Sequence, residues 1–542
     1  VSQHRRRVSA KQDKRNRTVV VSAVAAGAVA LGVGVGVWAS AGDGEGRSAN
    51  AAAAAPDPCE TSQSPGRSSP MSQAPRTIPA VRSHTPARGP GWRPSQGERV
   101  VVSDDSLADE GRLIAGELGL SYAGKEDARA GDVRLELGGA KNANPESYTM
   151  DVHGGCVKIS GPADAGVFYG TRTLKQEVHG GGSAPEGVVR DEPAKARRGF
   201  MLDIARKPFS ADWIEDRVRE LGDLKFNELG LHFSDDQGWR IQSTTHPEIV
   251  SQDHLTKAQV RKIIDLAASR HINVVPEIDS PGHLGKVLES YPDLQLRNAQ
   301  GEPARGAIDI SKPAAASLVD SLLNEYADLF RRPFWHLGGD EYVALMSSDP
   351  EASYPQLADA ARKKYGPDGT VADLTTGWLN DRAATVRTHD RTMRAWNDGF
   401  FRDTSVKPAK DLEVAYWTGK EIGARPPVDY LAAGRKVINY NDEYLYYVLG
   451  EPQTFVYPTG ERIYEQWTPL VVRGTSPVPA QYDGQILGGS FAVWCDLANS
   501  QTQDQVAAGI RMPLRATVQK LWDPGKPELT WPQFRALADR LG

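Results

Sequence analysis

The chain has 542 residues, 39% of them hydrophobic and 25% charged, with a formal net charge of −5. That length asks for two or three folded units, and the composition is that of a soluble globular protein. The mildly acidic balance argues against nucleic acid as a partner, because holding phosphates needs a basic face, and it suits a neutral substrate.

The start is basic: Arg5, Arg6, Arg7, Lys11, Lys14, Arg15 and Arg17 stand against Asp13. An apolar run from Val19 to Trp38 follows, then Ala39-Ser40-Ala41, a small-residue pattern of the signal-peptidase type. Residues 1–41 therefore read either as an export signal cleaved after Ala41 or as an uncleaved membrane anchor, since the run has about the ~20 residues a bilayer-spanning helix needs. On both readings the segment engages the membrane during export, and the protein is expected to be secreted and extracellular or tethered at the cell surface. The three cysteines, Cys59, Cys156 and Cys495, are too few for a disulfide scaffold and lack metal-ligand spacing, so they read as structural or free thiols.

Residues 42–97 are rich in Ala, Pro, Ser, Gly and Arg without an apolar period, which predicts a disordered linker. Residues 98–195 read as a small, non-catalytic α/β domain. Strands are predicted at Arg99–Val102, Asp132–Leu137, Tyr148–Val152 and Cys156–Ser160, and helices at Asp105–Leu118 and Ala165–Glu177.

From 196 to 542 apolar runs alternate with helical patterns. The runs are Gly199–Ala205, Glu228–Phe233, Ile272–Ile278, Phe334–Gly338, Arg391–Trp396, Leu412–Trp417, Lys436–Tyr440 and Gln485–Trp494. Several are almost continuously apolar, as buried parallel strands must be. After the first run, Ser210 is placed to cap a helix whose Trp213, Ile214, Val218, Leu221 and Leu224 share one face. Eight β/α repeats predict a TIM barrel, preceded by the small α/β domain. An open doubly wound sheet would want a glycine-rich phosphate turn after an early strand, and there is none.

Barrel active sites lie at the C-terminal strand ends. In this chain those ends carry Asp203-Ile-Ala-Arg206, His232-Phe-Ser-Asp-Asp-Gln-Gly-Trp239, Pro276-Glu-Ile-Asp279-Ser-Pro-Gly-His283, His336-Leu-Gly-Gly-Asp340-Glu341, Trp396-Asn-Asp398, Tyr416-Trp417, Asn441-Asp-Glu-Tyr-Leu-Tyr-Tyr447 and Trp494-Cys-Asp496. Aromatic faces that stack on sugar rings, with carboxylates and Arg for hydroxyls, point to a carbohydrate substrate. No cofactor is expected, since the phosphate loop, zinc signature and nucleophilic serine elbow are all missing. No metal is expected either: His283 with Asp279 lacks a third ligand at suitable spacing and reads as a hydrogen-bonding pair.

Glycoside hydrolysis normally places two carboxyl groups ~5–9 Å apart on opposite sides of the scissile bond. Asp340 and Glu341 are neighbours in sequence and cannot easily flank a ring. A substrate that supplies its own nucleophile, the oxygen of a 2-acetamido group, resolves this. Glu341 then protonates the leaving oxygen and later activates water, while Asp340 orients the acetamide. Asp340 beside it is also expected to raise the pKa of Glu341.

These motifs resemble glycoside hydrolase family 20, the β-N-acetylhexosaminidases, over about residues 98–542, and the adjacent Asp-Glu is the most specific element. The resemblance implies an exo-acting, retaining enzyme that removes terminal GlcNAc or GalNAc from glycans or chitooligosaccharides. It implies that Arg206 holds the outer hydroxyls, that Asp235, Asp279 and His283 support the acid/base, and that Trp396, Trp417 and Trp494 wall the acetamide and sugar pocket. It implies a Tyr on the acetamide oxygen, Tyr444 in gapless alignment or Tyr446 with one inserted residue. Departures from the family pattern are Lys207 after the strand-one Arg, Tyr446 where an Asp is usual, and Asp496 in a Trp-x-Asp ending in place of Trp-x-Glu. Asp340-Glu341-Tyr342 and Leu445-Tyr-Tyr-Val-Leu449 are similar to the branch that includes lacto-N-biosidases, which release a disaccharide. An inactive surface carbohydrate-binding protein is the remaining alternative.

Overall fold

The computed structural model describes residues 69–140, 142–400 and 404–542. The predicted export segment 1–41 and most of the linker lie outside these. Among the described residues no helix is long and apolar enough to cross a membrane.

Residues 69–97, expected to belong to the linker, are instead folded onto the small domain. His84–Pro86 pairs antiparallel with Gly187–Asp191, and Ile78 and Trp92 are buried. Trp92 enters the core of the small domain and Ile78 that of the barrel, two isolated anchors rather than a repeating apolar face, which is why no period announced the stretch. The sheet runs His84–Pro86, Gly187–Asp191, Tyr148–His153, Cys156–Gly161, Val133–Leu137, Arg99–Val102, Ser121–Gly124. Helices Ala108–Leu118 and Asp164–Gly181 bury Ile114, Ala115, Val167, Phe168 and Leu174 in the same core as that sheet. Gly119 and Gly182 end the two helices in the left-handed conformation, at φ 69° and 74°, which a Cβ would disfavour.

The second domain is a closed barrel of eight parallel strands: Arg197–Asp203, Glu228–His232, Asn273–Glu277, Phe334–His336, Thr392–Trp396, Glu413–Tyr416, Val437–Asn439 and Ile486–Trp494. Each overlaps its predicted apolar run. The last strand pairs with the first from Gly488↔Arg197 to Val493↔Leu202, which closes the ring. Ser210 caps the first helix by accepting from Trp213 N at 3.2 Å, and Trp213, Ile214, Val218 and Leu221 are buried against the sheet.

One departure from regular barrel geometry shapes the mouth. Strand eight has nine residues and strand seven three, so the upper half of strand eight outruns its neighbour. Its free edge is taken by Tyr446–Val448, paired parallel to Ala492–Trp494. A segment of the strand-seven connection thus enters the barrel rim and brings Tyr446 with it.

The domains meet through buried polar bonds. Arg198 donates to Glu146 at 2.8 and 2.9 Å, Lys225 to Thr173 at 2.8 Å, and Trp522 Nε1 to Asp191 at 3.0 Å.

Candidate active site

The His336-Leu-Gly-Gly-Asp-Glu341 run turns sharply over strand three. Gly338 sits at φ 65°, and a Cβ there would come within 1.9 Å of Asp279 Oδ1. Gly339 N donates to that same oxygen at 2.7 Å. The glycine pair therefore lets the chain fold directly onto Asp279 and delivers Asp340 beside it. Glu341 follows in the left-handed region at φ 49°, held by its N–H donating to Asp398 at 2.8 Å. Asp340 and Glu341 thus leave the strand in different directions.

His283 ties the carboxylates together. Its Nδ1 meets Asp235 at 3.1 Å, and its Nε2 lies 3.6 Å from Asp340 and 3.4 Å from Glu341. Behind it runs a buried network across four strands. Arg206 donates to Asp203 at 3.0 Å and pairs with Asp235 at 2.8 Å. His232 bridges Asp235 and Glu277, 2.7 Å from each, and Trp396 Nε1 donates to Glu277 at 2.6 Å.

Charge follows from this wiring. Burial works against every charged group here, but Glu277 and Asp235 hold His232 well above its usual value, and the imidazoles of His336 and His232 bring Glu277 down to about 2. The contribution of Glu277 to stability is therefore present above the ordinary carboxylate range and is lost as pH falls toward 2. Glu277→Gln leaves the buried His232 short of a counter-charge and is expected to cost about 3–5 kcal/mol near pH 6. Melting temperatures from pH 2 to 7 check this: the acid-side slope should be shallower in the variant than in the wild type.

The pair itself differs from expectation. Burial, with the Asp279 charge behind it, pushes Asp340 well up. Burial likewise pushes Asp279 up to about 6. Among the described residues Asp279 Oδ2 and Asp340 Oδ1 are both buried without a hydrogen-bond partner, an arrangement that favours one neutral carboxyl in the pair over two like charges. Glu341 moves the opposite way, because the His283 imidazolium beside it holds it down. The two neighbours are thus shifted oppositely, Asp340 up and Glu341 down, the reverse of the raised Glu341 expected from adjacency. Asp279 and His283, which sequence spacing left without a third ligand, lie close enough to Asp340 for the three to surround a cation.

The cavity above has a volume of about 260 Å³ and is lined by Arg206, His232, His283, Asp340, Glu341, Trp417, Tyr446, Trp494 and Asp496, among others. Tyr446 stacks on Trp417 at 5.8 Å with an interplanar angle of 6°, and packs against Trp494 at 5.8 Å. The two tyrosine alternatives separate cleanly. Tyr444 is 2% exposed, packs in the outer core and carries the Arg462 guanidinium over its ring at 4.3 Å, away from the cavity. Trp396 also differs from expectation. It is 1% exposed and backs the cavity from below, its ring 5.9 Å from Trp494 and 4.4 Å from His336, rather than walling it.

Sequence reasoning missed several neighbours. Glu277 and His232 stood in the strand-end motifs without a role. Asp442 lines the cavity and accepts from Lys420 at 2.9 Å, which puts a carboxylate on the side where Tyr446 replaces one. Gln453 and Phe455 come from the strand-seven connection, beyond its Leu445–Leu449 motif. Lys207 turns away to donate to Ala498 O at 3.0 Å.

The family model for the glycosyl hydrolase family 20 catalytic domain matches residues 196–516, and that for domain 2 of the same family matches residues 74–192. The chain belongs to glycosyl hydrolase family 20. A lacto-N-biosidase from Bifidobacterium bifidum is 29% identical over 476 residues, covering 86% of this chain and 42% of the relative. A beta-hexosaminidase from Porphyromonas gingivalis is 29% identical over 466 residues, covering 78% of this chain and 58% of the relative. The family 20 chain thus spans about half the length of these curated relatives. A mutant Streptomyces plicatus beta-hexosaminidase in complex with product (GlcNAc) superposes with a TM-score of 0.69 at 23% identity, over 87% of this chain and 95% of that one. A Vibrio harveyi exo beta-N-acetylglucosaminidase gives 0.71 at 19%, over 88% and 78%. At these identities the structural likeness speaks for the family 20 fold. The matched start at residue 74 agrees with the folding of residues 69–97 onto the small domain.

Proposed function

We propose that the protein is a retaining exo-β-N-acetylhexosaminidase that releases terminal GlcNAc or GalNAc by substrate-assisted catalysis. The observation that carries this reading is the slot formed by Trp417, Tyr446 and Trp494 with Asp340 among its lining groups. An acetamide has an apolar methyl, one N–H donor and one carbonyl acceptor. The slot offers aromatic faces, a carboxylate and a phenol in matching kind. Burial first, and then the Asp340 charge, push the Tyr446 phenol well up, so it stays protonated as a donor.

In this mechanism the acetamide oxygen attacks the anomeric carbon as the bond to the leaving oxygen breaks, and Glu341 gives that oxygen its proton. Asp340 accepts the amide N–H and balances the positive charge that develops on nitrogen. Water, deprotonated by Glu341, then attacks the anomeric carbon and reopens the oxazoline-type ring with net retention. Substrate binding also relocates the proton. An amide N–H arriving at Asp340 favours its anion, and the proton of the Asp279–Asp340 pair becomes available to Glu341. Arg206 and Asp496 also line the cavity and are the groups we assign to the outer hydroxyls.

A second reading, a lacto-N-biosidase, is supported by the similarity to the Bifidobacterium bifidum enzyme over 86% of this chain. Turnover of aryl N-acetylglucosaminide against aryl lacto-N-bioside separates the two: activity confined to the disaccharide would overturn the first. The proposal includes export, which rests on residues 1–41 alone.

A further inference from the structure

Asp398 has no role in the steps above, yet it touches two of the elements they depend on. It lies in the short turn Asn397–Gly399 at the end of strand five and is 4% exposed. One oxygen accepts the N–H of Glu341 at 2.8 Å, and the other accepts Trp417 Nε1–H at 3.0 Å. The residue before it completes the tie, since Asn397 donates to Thr418 O at 2.8 Å and accepts from Trp417 N at 2.9 Å.

Strands four, five and six are thereby latched at their ends through one carboxylate. Both donors need an anchor. Glu341 holds a left-handed backbone, disfavoured for a residue with a Cβ, so an outside bond must keep it there. Trp417 is a cavity wall whose tilt depends on where its indole N–H is bound. Burial and the nearby Asp340 charge push Asp398 well up, yet both of its oxygens take an N–H, whereas an amide offers one acceptor and turns a donor toward the other partner.

We propose that Asp398 is a positioning residue that sets the distance between the Glu341 acid and the Trp417 wall, so that the acid reaches the glycosidic oxygen of a sugar seated against that wall. The inference rests on the hexosaminidase reading.

The test compares wild type, Asp398→Asn and Trp417→Phe on two aryl β-N-acetylglucosaminides. A 2,4-dinitrophenyl group departs without protonation; a 4-methoxyphenyl group needs the acid. Asp398→Asn is expected to lose about 10²-fold in kcat on the methoxyphenyl substrate, with KM nearly unchanged, and much less on the dinitrophenyl one. Trp417→Phe should weaken both substrates alike, because it disturbs the wall and leaves Glu341 anchored. Equal losses on both substrates for Asp398→Asn, or wild-type rates, overturn the proposal. A merely structural role would lower both substrates together with the melting temperature. If Asp398→Asn does not fold, Asp398→Ser, which keeps one acceptor, is measured in the same way. A wild type that cleaves neither substrate would instead overturn the hexosaminidase reading itself.

Discussion

Glu341→Gln is expected to lower kcat/KM on a 4-methoxyphenyl N-acetylglucosaminide by about 10²–10⁴-fold at neutral pH, the range a positioned general acid supplies. The substitution keeps shape and leaves the backbone bond to Asp398 in place. The side chain is 38% exposed, so the melting temperature should stay close to wild type. The loss should shrink on a 2,4-dinitrophenyl substrate, whose leaving group needs no proton. In the second half-reaction Gln cannot deprotonate water. Added azide, which needs no deprotonation, should then restore turnover and give a β-glycosyl azide. Steady-state rates on the two substrates, with and without azide, check all of this. A variant that retains the wild-type rate on the methoxyphenyl substrate would remove Glu341 from the acid/base role.

Asp340→Asn is expected to cost about 10²–10³-fold in kcat, because the amide turns either a weaker acceptor or an opposing donor toward the substrate's N–H. Its effect on stability should have the opposite sign. Asp340 is raised in the folded protein by burial and by Asp279, so wild type loses stability as pH climbs from the ordinary carboxylate range through the raised value. The Asn variant carries no such charge and should melt at or above the wild-type temperature at pH 8. Catalysis is linked to the same titration. Asp340 must be an anion to take the amide N–H, so the acid limb of kcat/KM belongs to the Asp279–Asp340 pair and lies above the usual carboxylate range. The acid limb of kcat, which reports the substrate complex, should lie lower. Coincident limbs would mean that the substrate does not draw the proton off Asp340.

The barrel was legible because its strands are buried on both faces and read as apolar runs, and because strand ends are where chemistry-bearing residues collect. Asp340, Glu341, Arg206, His283, Trp417, Trp494 and Asp496 all came out at the mouth for that reason, with Asp235 buried behind them. What the sequence hid depended on neighbours distant along the chain. Tyr446 reaches the cavity only because a short strand-seven segment pairs with the overhang of strand eight. Trp396 and Trp417 look equivalent as strand-end tryptophans, but the first bonds inward to Glu277 and the second outward to Asp398. The opposite shifts of Asp340 and Glu341 come from burial with Asp279 on one side and from His283 on the other, which adjacency in sequence cannot convey. The segment 69–97 was misjudged because composition registers its Pro, Ser and Arg while Ile78 and Trp92 do the anchoring.

Attack of the substrate's own acetamide oxygen on the anomeric carbon, with Asp340 holding the N–H, can be read from kcat on aryl glycosides whose 2-acyl group carries none, one, two or three fluorines on the methyl. Each fluorine makes the carbonyl oxygen a poorer nucleophile. The rate should therefore fall steeply along the series, as logarithms in proportion to the electron withdrawal, with the aryl group unchanged. A rate that stays flat across the four substrates would contradict the account and assign the nucleophile to the protein or to water.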